Sequence, residues 1–343
     1  MQPPEEAPLT ASAIGDAVAP TVTPAVDEAP PRAATWTERP PSTPWCPPAL
    51  TAHVPELRDV AGADAISRLD IGMAGWRVVG ASRRGRLHAH RAEHREDAMA
   101  QVAWKHGWVV AVADGAGSAP LSRLGAELAV RCVIDTLVTR TVHDPVRDVV
   151  AALSDATQRA IARVSRLATD AAIDPRHLRC TLLTAAVIRV DGREEGACAQ
   201  VGDGVIATVS RDGVVRRVGE GDAGEYSGEV ACFVPDPCAA ARAAATCTRF
   251  DAAQCDAVLI ASDGVEDPFY PIDRTGSALV QQLRDGVTAV LPGFQRQEPQ
   301  PSVLSAAHPD RALLEWLRFE KRGENDDRTF VIAHRPMRAQ SGP

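Results

Sequence analysis

The chain has 343 residues, of which 45% are hydrophobic and 24% are charged, and its formal net charge at pH 7 is −8. This composition is typical of a globular protein and excludes the fibrous and membrane classes. The net negative charge argues against a nucleic-acid partner, because proteins that bind nucleic acid generally present a basic face.

The beginning of the chain shows no signal for export or membrane insertion. No run approaches the roughly 18 to 20 consecutive apolar residues that a membrane span needs. The first ten residues, MQPPEEAPLT, have neither the basic region nor the apolar core of a signal peptide. We therefore expect a cytoplasmic protein, monomeric and without a membrane partner.

Eight cysteines are present, and none of them forms a CxxC pair. Several lie in strongly apolar surroundings such as RCVIDTL and RCTLLTA. This pattern favours buried, reduced thiols over a disulfide framework or a zinc site.

Composition also divides the chain into four parts. Residues 1–48 are rich in Pro, Ala, Thr and Glu and lack any helical or strand period, which predicts a disordered leader. We expect residues 49–71 to be a linker or a partly ordered entry segment, residues 72–336 to be one folded catalytic domain, and residues 337–343 to be a tail.

Strands and helices alternate in the first half of the predicted domain. The run WVVAVADG, residues 108–115, predicts a buried strand that ends at an Asp-Gly turn. Apolar residues at helical spacing then predict one helix over about 121–137 and a second over about 145–168. The segment CTLLTAAVIRV, residues 180–190, opens a series of strands separated by turns, which predicts an antiparallel meander.

The second half repeats this alternation. The run AVLIASDG, residues 257–264, again ends on Asp-Gly, and helical patterns follow near 277–291 and 310–320 before a last strand in DDRTFVIAHR. Runs of strands interleaved with pairs of helices indicate an α+β fold rather than a parallel βαβ sheet.

Acidic residues recur at the ends of the predicted strands. They are Glu96 and Asp97 in HREDAM, Asp114 in VADGAGS, Asp263 in ASDGVED, and Asp326 with Asp327 in ENDDRTF. A single Asp-Gly pair indicates only a turn. Several carboxylates that converge at one edge would repel one another unless cations hold them together, and hard oxygen ligands select Mg²⁺ or Mn²⁺.

These segments, in this order, resemble the metal-dependent type 2C protein phosphatase family. The resemblance rests on GRLHAHRAEHREDA, VVAVADGAGS, CTLLTAAVIRV, AQVGDG, IASDGVED and DDRTFVI, and the Gly-x-x-His and DGAGS motifs resemble a bacterial branch. It implies two packed antiparallel sheets flanked by helix pairs, an α-β-β-α sandwich. It also implies a phosphoserine/phosphothreonine protein phosphatase that uses water or hydroxide bridging two Mn²⁺ or Mg²⁺ ions, without a phosphoenzyme, on a phosphoprotein made by a cognate Ser/Thr kinase.

The resemblance further implies a role for each acidic residue. The Asp114 carboxylate would bridge both metal ions, and the carbonyl of Gly115 would bind one of them. The other implied ligands are Glu96, Asp97, Asp263 and Asp326. Asp97 and Asp114 would be the catalytic residues, and a possible third ion would be held by Asp203 and Asp267.

The chain departs from the family pattern where relatives grip the substrate phosphate. The position of their arginine is Ala92 in this chain, and the position of a histidine proposed as the leaving-group acid is Ala116. The replacement candidates for phosphate binding are His88, Arg91 and Arg95. If residues 91–97 are extended, Arg91 and Arg95 share a face with Asp97.

Three alternatives to these interpretations stay open at this point. The cluster of His88, His90 and His94 could hold zinc, although solvated loop histidines are the plainer interpretation. The chain could be a catalytically weak or inactive phosphatase-like module that binds a kinase or phosphoprotein. It could also hydrolyse a small phosphate ester, because the metal chemistry would be the same.

Overall fold

A computed structural model describes residues 37–42, 50, 52, 64–70, 75–143, 146–219, 221 and 232–336. All of them belong to one compact unit, residues 36–343. The predicted tail, most of the predicted leader and much of the predicted linker lie outside the described residues.

The strands, in chain order, are β1 (Ala65–Asp70), β2 (Arg77–Arg83), β3 (Ala98–Trp104), β4 (Gly107–Ala113), β5 (Leu182–Val190), β6 (Arg193–Val201), β7 (Val205–Ser210), β8 (Val215–Arg217), β9 (Thr248–Phe250), β10 (Cys255–Ala261), β11 (Phe294–Arg296), β12 (Glu320–Lys321) and β13 (Arg328–His334). The helices are α1 (Arg86–Arg91), α2 (Ser122–His143), α3 (Val149–Asp170), α4 (Ala239–Thr246), α5 (Asp263–Glu266), α6 (Ile272–Asp285) and α7 (Pro309–Trp316). None of the described helices is both long enough and apolar enough to cross a membrane.

Two antiparallel sheets form the centre of the domain. The first has the strand order β1-β2-β13-β10-β7-β8 and the second the order β3-β4-β5-β6-β9, while β11 and β12 form a separate ribbon. Helices α2 and α3 pack on the second sheet, and α6 and α7 pack on the first. The expected α+β sandwich of two packed sheets between helix pairs is confirmed.

The apolar run of β4 shows why this sandwich forms. Val110 and Val112 face the first sheet, whereas Val109 and Ala111 face the helices, and all four side chains are fully buried. A strand that is covered on both faces has no side in contact with water, so its sequence is a continuous apolar run. Between the sheets, the rings of Trp76 and Trp108 lie 5.4 Å apart.

The helices occupy most of the predicted positions, with one shifted boundary. Helix α3 begins where Asp148 caps it, its carboxylate accepting from the backbone N–H of Val150 at 2.9 Å. The pattern near 277–291 corresponds to α6, which ends earlier, at Asp285. It ends there because Gly286 has a φ of +97°, which a helix cannot continue.

The cysteines follow the sequence prediction except for one pair. Cys232 and Cys238 form a disulfide with their Cα atoms 6.3 Å apart, so the expectation of reduced thiols is wrong there. A turn brings the two together, because the backbone N–H of Asp236 donates to the carbonyl of Phe233 at 2.7 Å. The described free cysteines are Cys132, Cys180, Cys198, Cys247 and Cys255, and burial raises the pKa of each thiol.

Residues 37–42 fall within the predicted leader and contact the domain at helix α1. The backbone N–H of Arg39 donates to the Ala89 carbonyl at 3.0 Å, and that of Ser42 donates to the Ala92 carbonyl at 2.8 Å. The Arg84 guanidinium donates to the Arg39 carbonyl at 2.6 Å. The end of the leader is therefore attached to the segment that carries His88.

These contacts predict different effects for two truncations. Deleting residues 1–35 removes none of the contacts made by 37–42, so we expect the melting temperature and activity to stay unchanged. Deleting residues 1–42 removes several backbone hydrogen bonds, each contributing about 0.5–1.5 kcal/mol, so the melting temperature should fall by several degrees. Thermal melts of both truncations and the full chain measure this, and equal melting temperatures for all three would contradict it.

Candidate metal and active site

Four loops converge at one edge of the two packed sheets. Asp97 precedes the first residue of β3 and Asp114 follows the last residue of β4, and Ala98 pairs directly with Ala113. In the other sheet, Asp263 lies just beyond the end of β10, and residues 326–327 precede β13. Because β10 and β13 are antiparallel neighbours, both of their acidic loops reach this same edge.

Asp114 lies at the centre of the acidic group. Its carboxyl is within hydrogen-bonding contact of the carboxyls of both Asp97 and Asp263. Thr181 holds the Asp114 backbone from the next strand. The Asp114 N–H donates to the Thr181 hydroxyl at 2.9 Å, and the Thr181 N–H donates to the Asp114 carbonyl at 2.7 Å.

Asp97 is oriented by groups from the first sheet. The Ser262 hydroxyl donates to Oδ2 of Asp97 at 2.8 Å, and the same hydroxyl accepts from the backbone N–H of Thr329 at 3.0 Å. The Thr329 hydroxyl in turn lies 2.5 Å from that of Ser82. The Ser262 hydroxyl, just beyond β10 and held by β13, therefore fixes a carboxylate that precedes β3 in the other sheet.

Asp327 anchors a second half of the site. Its carboxylate accepts from the backbone N–H groups of Gly85 and Glu96, each at 2.5 Å. Nδ1 of His88 lies 3.0 Å from the same carboxylate, and Nε2 of His88 lies 3.9 Å from Oε2 of Glu96. His88, Asp326 and Asp327 each bring one possible ligand atom within 4.8 Å of the others.

Burial and mutual repulsion shift the titration of these groups. Burial first, and then the neighbouring negative charges, raise the pKa of Asp97, Asp114 and Asp263. The pKa of Glu96 rises to about 7, mainly through burial. Burial alone would lower the pKa of His88, but the hydrogen bond and charge of Asp327 and the charge of Glu96 outweigh it and raise that pKa to about 9.

The donor set fits divalent cations. Within this acidic group, three buried carboxylate oxygens have no hydrogen-bond partner among the described residues: Oε2 of Glu96, Oδ1 of Asp97 and Oδ1 of Asp263. Leaving a buried acceptor unsatisfied costs about 1–3 kcal/mol, and more when it is charged. A hard cation would bind these oxygens and would also reduce the repulsion between the carboxylates. A set of ligands made only of oxygen atoms matches Mg²⁺ or Mn²⁺.

The other predicted metal residues lie around this centre. Gly115 is buried, and a Cβ there would lie 2.9 Å from Cβ atoms of Glu96 and Ser122, so only glycine fits. Asp203 is close enough for its charge to raise the pKa of Asp263. Asp267 is exposed, and the charge of Asp326 contributes to its raised pKa. Asp326 itself lies at the exposed rim.

The phosphate-binding candidates have different surroundings. Arg95 is buried, and its guanidinium donates to the carbonyls of Asp97 at 2.9 Å and Ser82 at 3.2 Å. Arg91 is exposed at the end of α1. His88 alone of the three has its ring among the carboxylates, with 12% of the side chain exposed.

Two expectations for this segment are therefore corrected. Residues 91–97 are not uniformly extended, because Arg91 ends a helix and Ala92 adopts a left-handed conformation with a φ of 60°. His88 is not a solvated loop histidine, because it lies in α1 against Asp327.

Several residues that support this site were not identified from the sequence. No role was assigned to Asp327 beyond its place at a strand end, and none to the hydroxyls of Ser262 and Thr181. Their positions in the sequence could have indicated them, because each is adjacent to a predicted ligand or to the end of a predicted strand. Which of two neighbouring acids faces the site depends on the path of the backbone, which periodicity does not specify.

Comparison with protein-family models gives a match over most of the chain. A family model described as "Protein phosphatase 2C" matches residues 84–317, more than half of the chain. Asp97, Asp114 and Asp263 lie inside the matched residues, whereas Asp326 lies beyond them. A search of the curated proteins found no match.

Several solved structures have a similar fold. The catalytic domain of the serine/threonine protein phosphatase PstP, in complex with two manganese ions, is 20% identical, with 76% of this chain and 97% of that chain covered and a TM-score of 0.49. RsbX in complex with magnesium is 12% identical, with 79% and 99% covered and a TM-score of 0.46. PppA, a regulatory component of T6SS in Pseudomonas aeruginosa, is 18% identical, with 76% and 97% covered and a TM-score of 0.47.

The raised pKa values predict how Asp114→Asn changes stability. An acid whose folded-state pKa is raised stabilises the fold while protonated, and that stability is lost as pH rises through the raised pKa. In EDTA at pH 8, Asp114→Asn should therefore melt higher than wild type, by about 2–4 °C for each kcal/mol of relieved repulsion.

Adding Mn²⁺ should reverse this order. The wild type gains stability because cations bind only its folded form, by about 2.7 kcal/mol at a hundredfold excess over the dissociation constant, whereas the variant gains much less. Melting curves at pH 5.5 and pH 8, with Mn²⁺ or EDTA, measure both effects. A variant that melts below wild type in EDTA and responds equally to Mn²⁺ would show that Asp114 has another role.

Proposed function

The chain belongs to the protein phosphatase 2C family, and on that premise we propose that it is a metal-dependent phosphatase of phosphoserine and phosphothreonine in proteins. The observation that carries the proposal is the group of Asp97, Asp114 and Asp263, because buried oxygens of Asp97 and Asp263 have no hydrogen-bond partner among the described residues and a cation would satisfy them. Its substrate would be a phosphoprotein produced by a Ser/Thr kinase.

Asp114 is the residue best placed to join two cations. The charges of both Asp263 and Asp97 raise its pKa, so these three carboxylates would hold the cations together. Glu96 and Asp326 would complete the ligands at the rim. Mn²⁺ or Mg²⁺ bound there would supply the positive charge that acidifies an attacking water and stabilises the phosphoryl oxygens.

The surrounding residues favour direct hydrolysis over a covalent route. Cys180 forms an isolated β-bridge with Gly115, the residue after Asp114, and complete burial raises the pKa of its thiol far above the physiological range. A protonated thiol is a poor nucleophile. Ala116 offers no proton to a leaving group, so the departing alkoxide would take its proton from water.

His88 is the strongest of the phosphate-binding candidates. Its pKa of about 9 keeps the ring positively charged at neutral pH, and the ring lies between Glu96 and Asp327 at the rim of the acidic group. A charged donor at this place can contact a phosphoryl oxygen that the missing arginine would otherwise hold. Arg95 is directed to backbone carbonyls instead.

Activity on a phosphothreonine peptide tests the metal site. Wild type should hydrolyse the peptide with Mn²⁺ or Mg²⁺ and not with EDTA. Asp114→Asn should lower kcat by about 10² or more, since an acidic group that holds both cations contributes several kcal/mol of transition-state stabilisation. The control is Asp285→Asn, an exposed aspartate paired only with Arg284, which should keep wild-type turnover. Near wild-type turnover of Asp114→Asn would remove it from the metal site.

The role of His88 is tested by inhibition with inorganic phosphate or vanadate. His88→Ala should weaken inhibition and raise KM about tenfold, because a hydrogen bond to a charged group contributes about 1.5–3 kcal/mol. Arg91→Ala, at the exposed end of the same helix, is the matched control. If the inhibition constants of His88→Ala and Arg91→Ala equal that of wild type, the metal ions alone hold the phosphate.

A further inference from the structure

A second concave site lies beside the acidic group. It is a cavity of about 470 Å³ between the start of α1 and the β11–β12 ribbon. Its lining carries four acidic residues, Glu38, Glu298, Glu320 and Asp326, and six arginines: Arg83, Arg84, Arg86, Arg296, Arg318 and Arg328. An excess of arginine in one cavity stands out in a chain whose net charge is −8.

The cavity and the acidic group share a wall. Asp326, a predicted metal ligand, and Gly85 both line the cavity. The N–H of Gly85 donates to Asp327, and a Cβ at Gly85 would lie 2.4 Å from the carbonyl carbon of Asp326. The two sites are therefore separated by little more than the thickness of one backbone segment.

Not all of the positive charge in the cavity is matched by carboxylates. Arg83, Arg86, Arg296 and Arg318 form ion pairs with acidic side chains. Among the described residues, the Arg84 guanidinium donates to the carbonyls of Glu93 and Arg39, and the Arg328 guanidinium donates to those of Leu317, Phe319 and Glu324. In the part of the chain that the structure describes, neither Arg84 nor Arg328 has a carboxylate within ion-pair distance.

The base of the cavity is rigid. Arg328 is 5% exposed, and its guanidinium carbon lies 4.1 Å from the centre of the Phe319 ring. Its Nε–H is buried and has no acceptor among the described residues. A buried donor without an acceptor and a guanidinium without a counterion are features that an anion entering the cavity would satisfy.

We propose that this cavity binds a second anionic side chain, phosphorylated or carboxylic, of the same polypeptide whose phosphoresidue occupies the metal site. This inference rests on the proposed function and deepens it, since it defines the substrate class as acidic or multiply phosphorylated segments. Arginine forks recognise planar and tetrahedral oxyanions through paired hydrogen bonds. A nucleic acid fits poorly, because a long polyanion would meet the net negative charge of the rest of the chain.

The test compares phosphothreonine peptides that differ only in one flanking residue. That residue is serine, glutamate or phosphoserine, placed about one to four positions to either side, which an extended chain spans at about 3.3–3.6 Å per residue. For the full chain, kcat/KM should be about threefold to tenfold higher with an anionic flanking residue at the best position. An equal gain for glutamate and phosphoserine indicates a site for any side-chain oxyanion, and a larger gain for phosphoserine indicates a phosphoryl site.

Variants of the exposed arginines give the decisive comparison. The double variant Arg296→Gln/Arg318→Gln should lose most of the ratio between anionic and neutral peptides. Glu298→Gln, which removes one of the two acidic partners of Arg296, should increase that ratio. The matched control is Arg159→Gln, because Arg159 and Arg296 are 64% and 63% exposed and both form ion pairs, but Arg159 lies on α3 outside the cavity. The control should keep the wild-type ratio.

A binding measurement separates this proposal from the proposed function. Peptides with threonine at the hydrolysed position and phosphoserine at the flanking position are titrated into EDTA-treated protein and followed by fluorescence anisotropy. Affinity that depends on the phosphoserine and is lost in the double variant supports the cavity even if no peptide is hydrolysed. Hydrolysis without any preference for anionic flanks, or equal losses in the double variant and Arg159→Gln, would overturn the proposal.

Discussion

The carboxyl of Asp114 lies beside those of Asp97 and Asp263, where each ionised group raises the free energy of the others. Only protons or cations can relieve this repulsion. The fold brings the three groups together from different strands of two sheets, and it leaves some of their oxygens without donors. The packing of the two sheets therefore carries an energetic cost at this edge, and cation binding would offset that cost.

The acidic loops can converge because their backbone segments approach one another closely. A Cβ at Gly264 would lie 1.9 Å from the carbonyl oxygen of Asp327, so the loop after β10 can pass the loop before β13 only with glycine there. Hydroxyls of Ser262 and Thr181 then hold the ligands through single hydrogen bonds. Rigid supports of this kind keep a site in one geometry, which is the condition for catalysis by positioned charge.

Charge is distributed unevenly around this edge. A negative cluster that attracts cations lies beside an arginine-lined cavity, and Asp326 borders both. His88, whose pKa is raised by the carboxylates around it, adds a positive charge between them. A substrate with two anionic groups would therefore find complementary charge for each of them, although the net charge of the chain is negative. The sequence total of −8 conceals this arrangement, because net charge contains no information about position.

From its sequence alone, this protein's fold class and family could be predicted, and candidate metal ligands could be named. Runs such as β4 and β10, apolar on both faces and ended by Asp-Gly, specify buried strands that deliver a carboxylate to the rim. What could not be predicted depends on contacts between residues far apart in the chain. The choice between Asp326 and Asp327, the direction of Arg95, the ring position of His88 and the pairing of Cys232 with Cys238 are all of this kind. Each depends on where the backbone of another segment lies, and the local periodicity of the sequence does not specify that position.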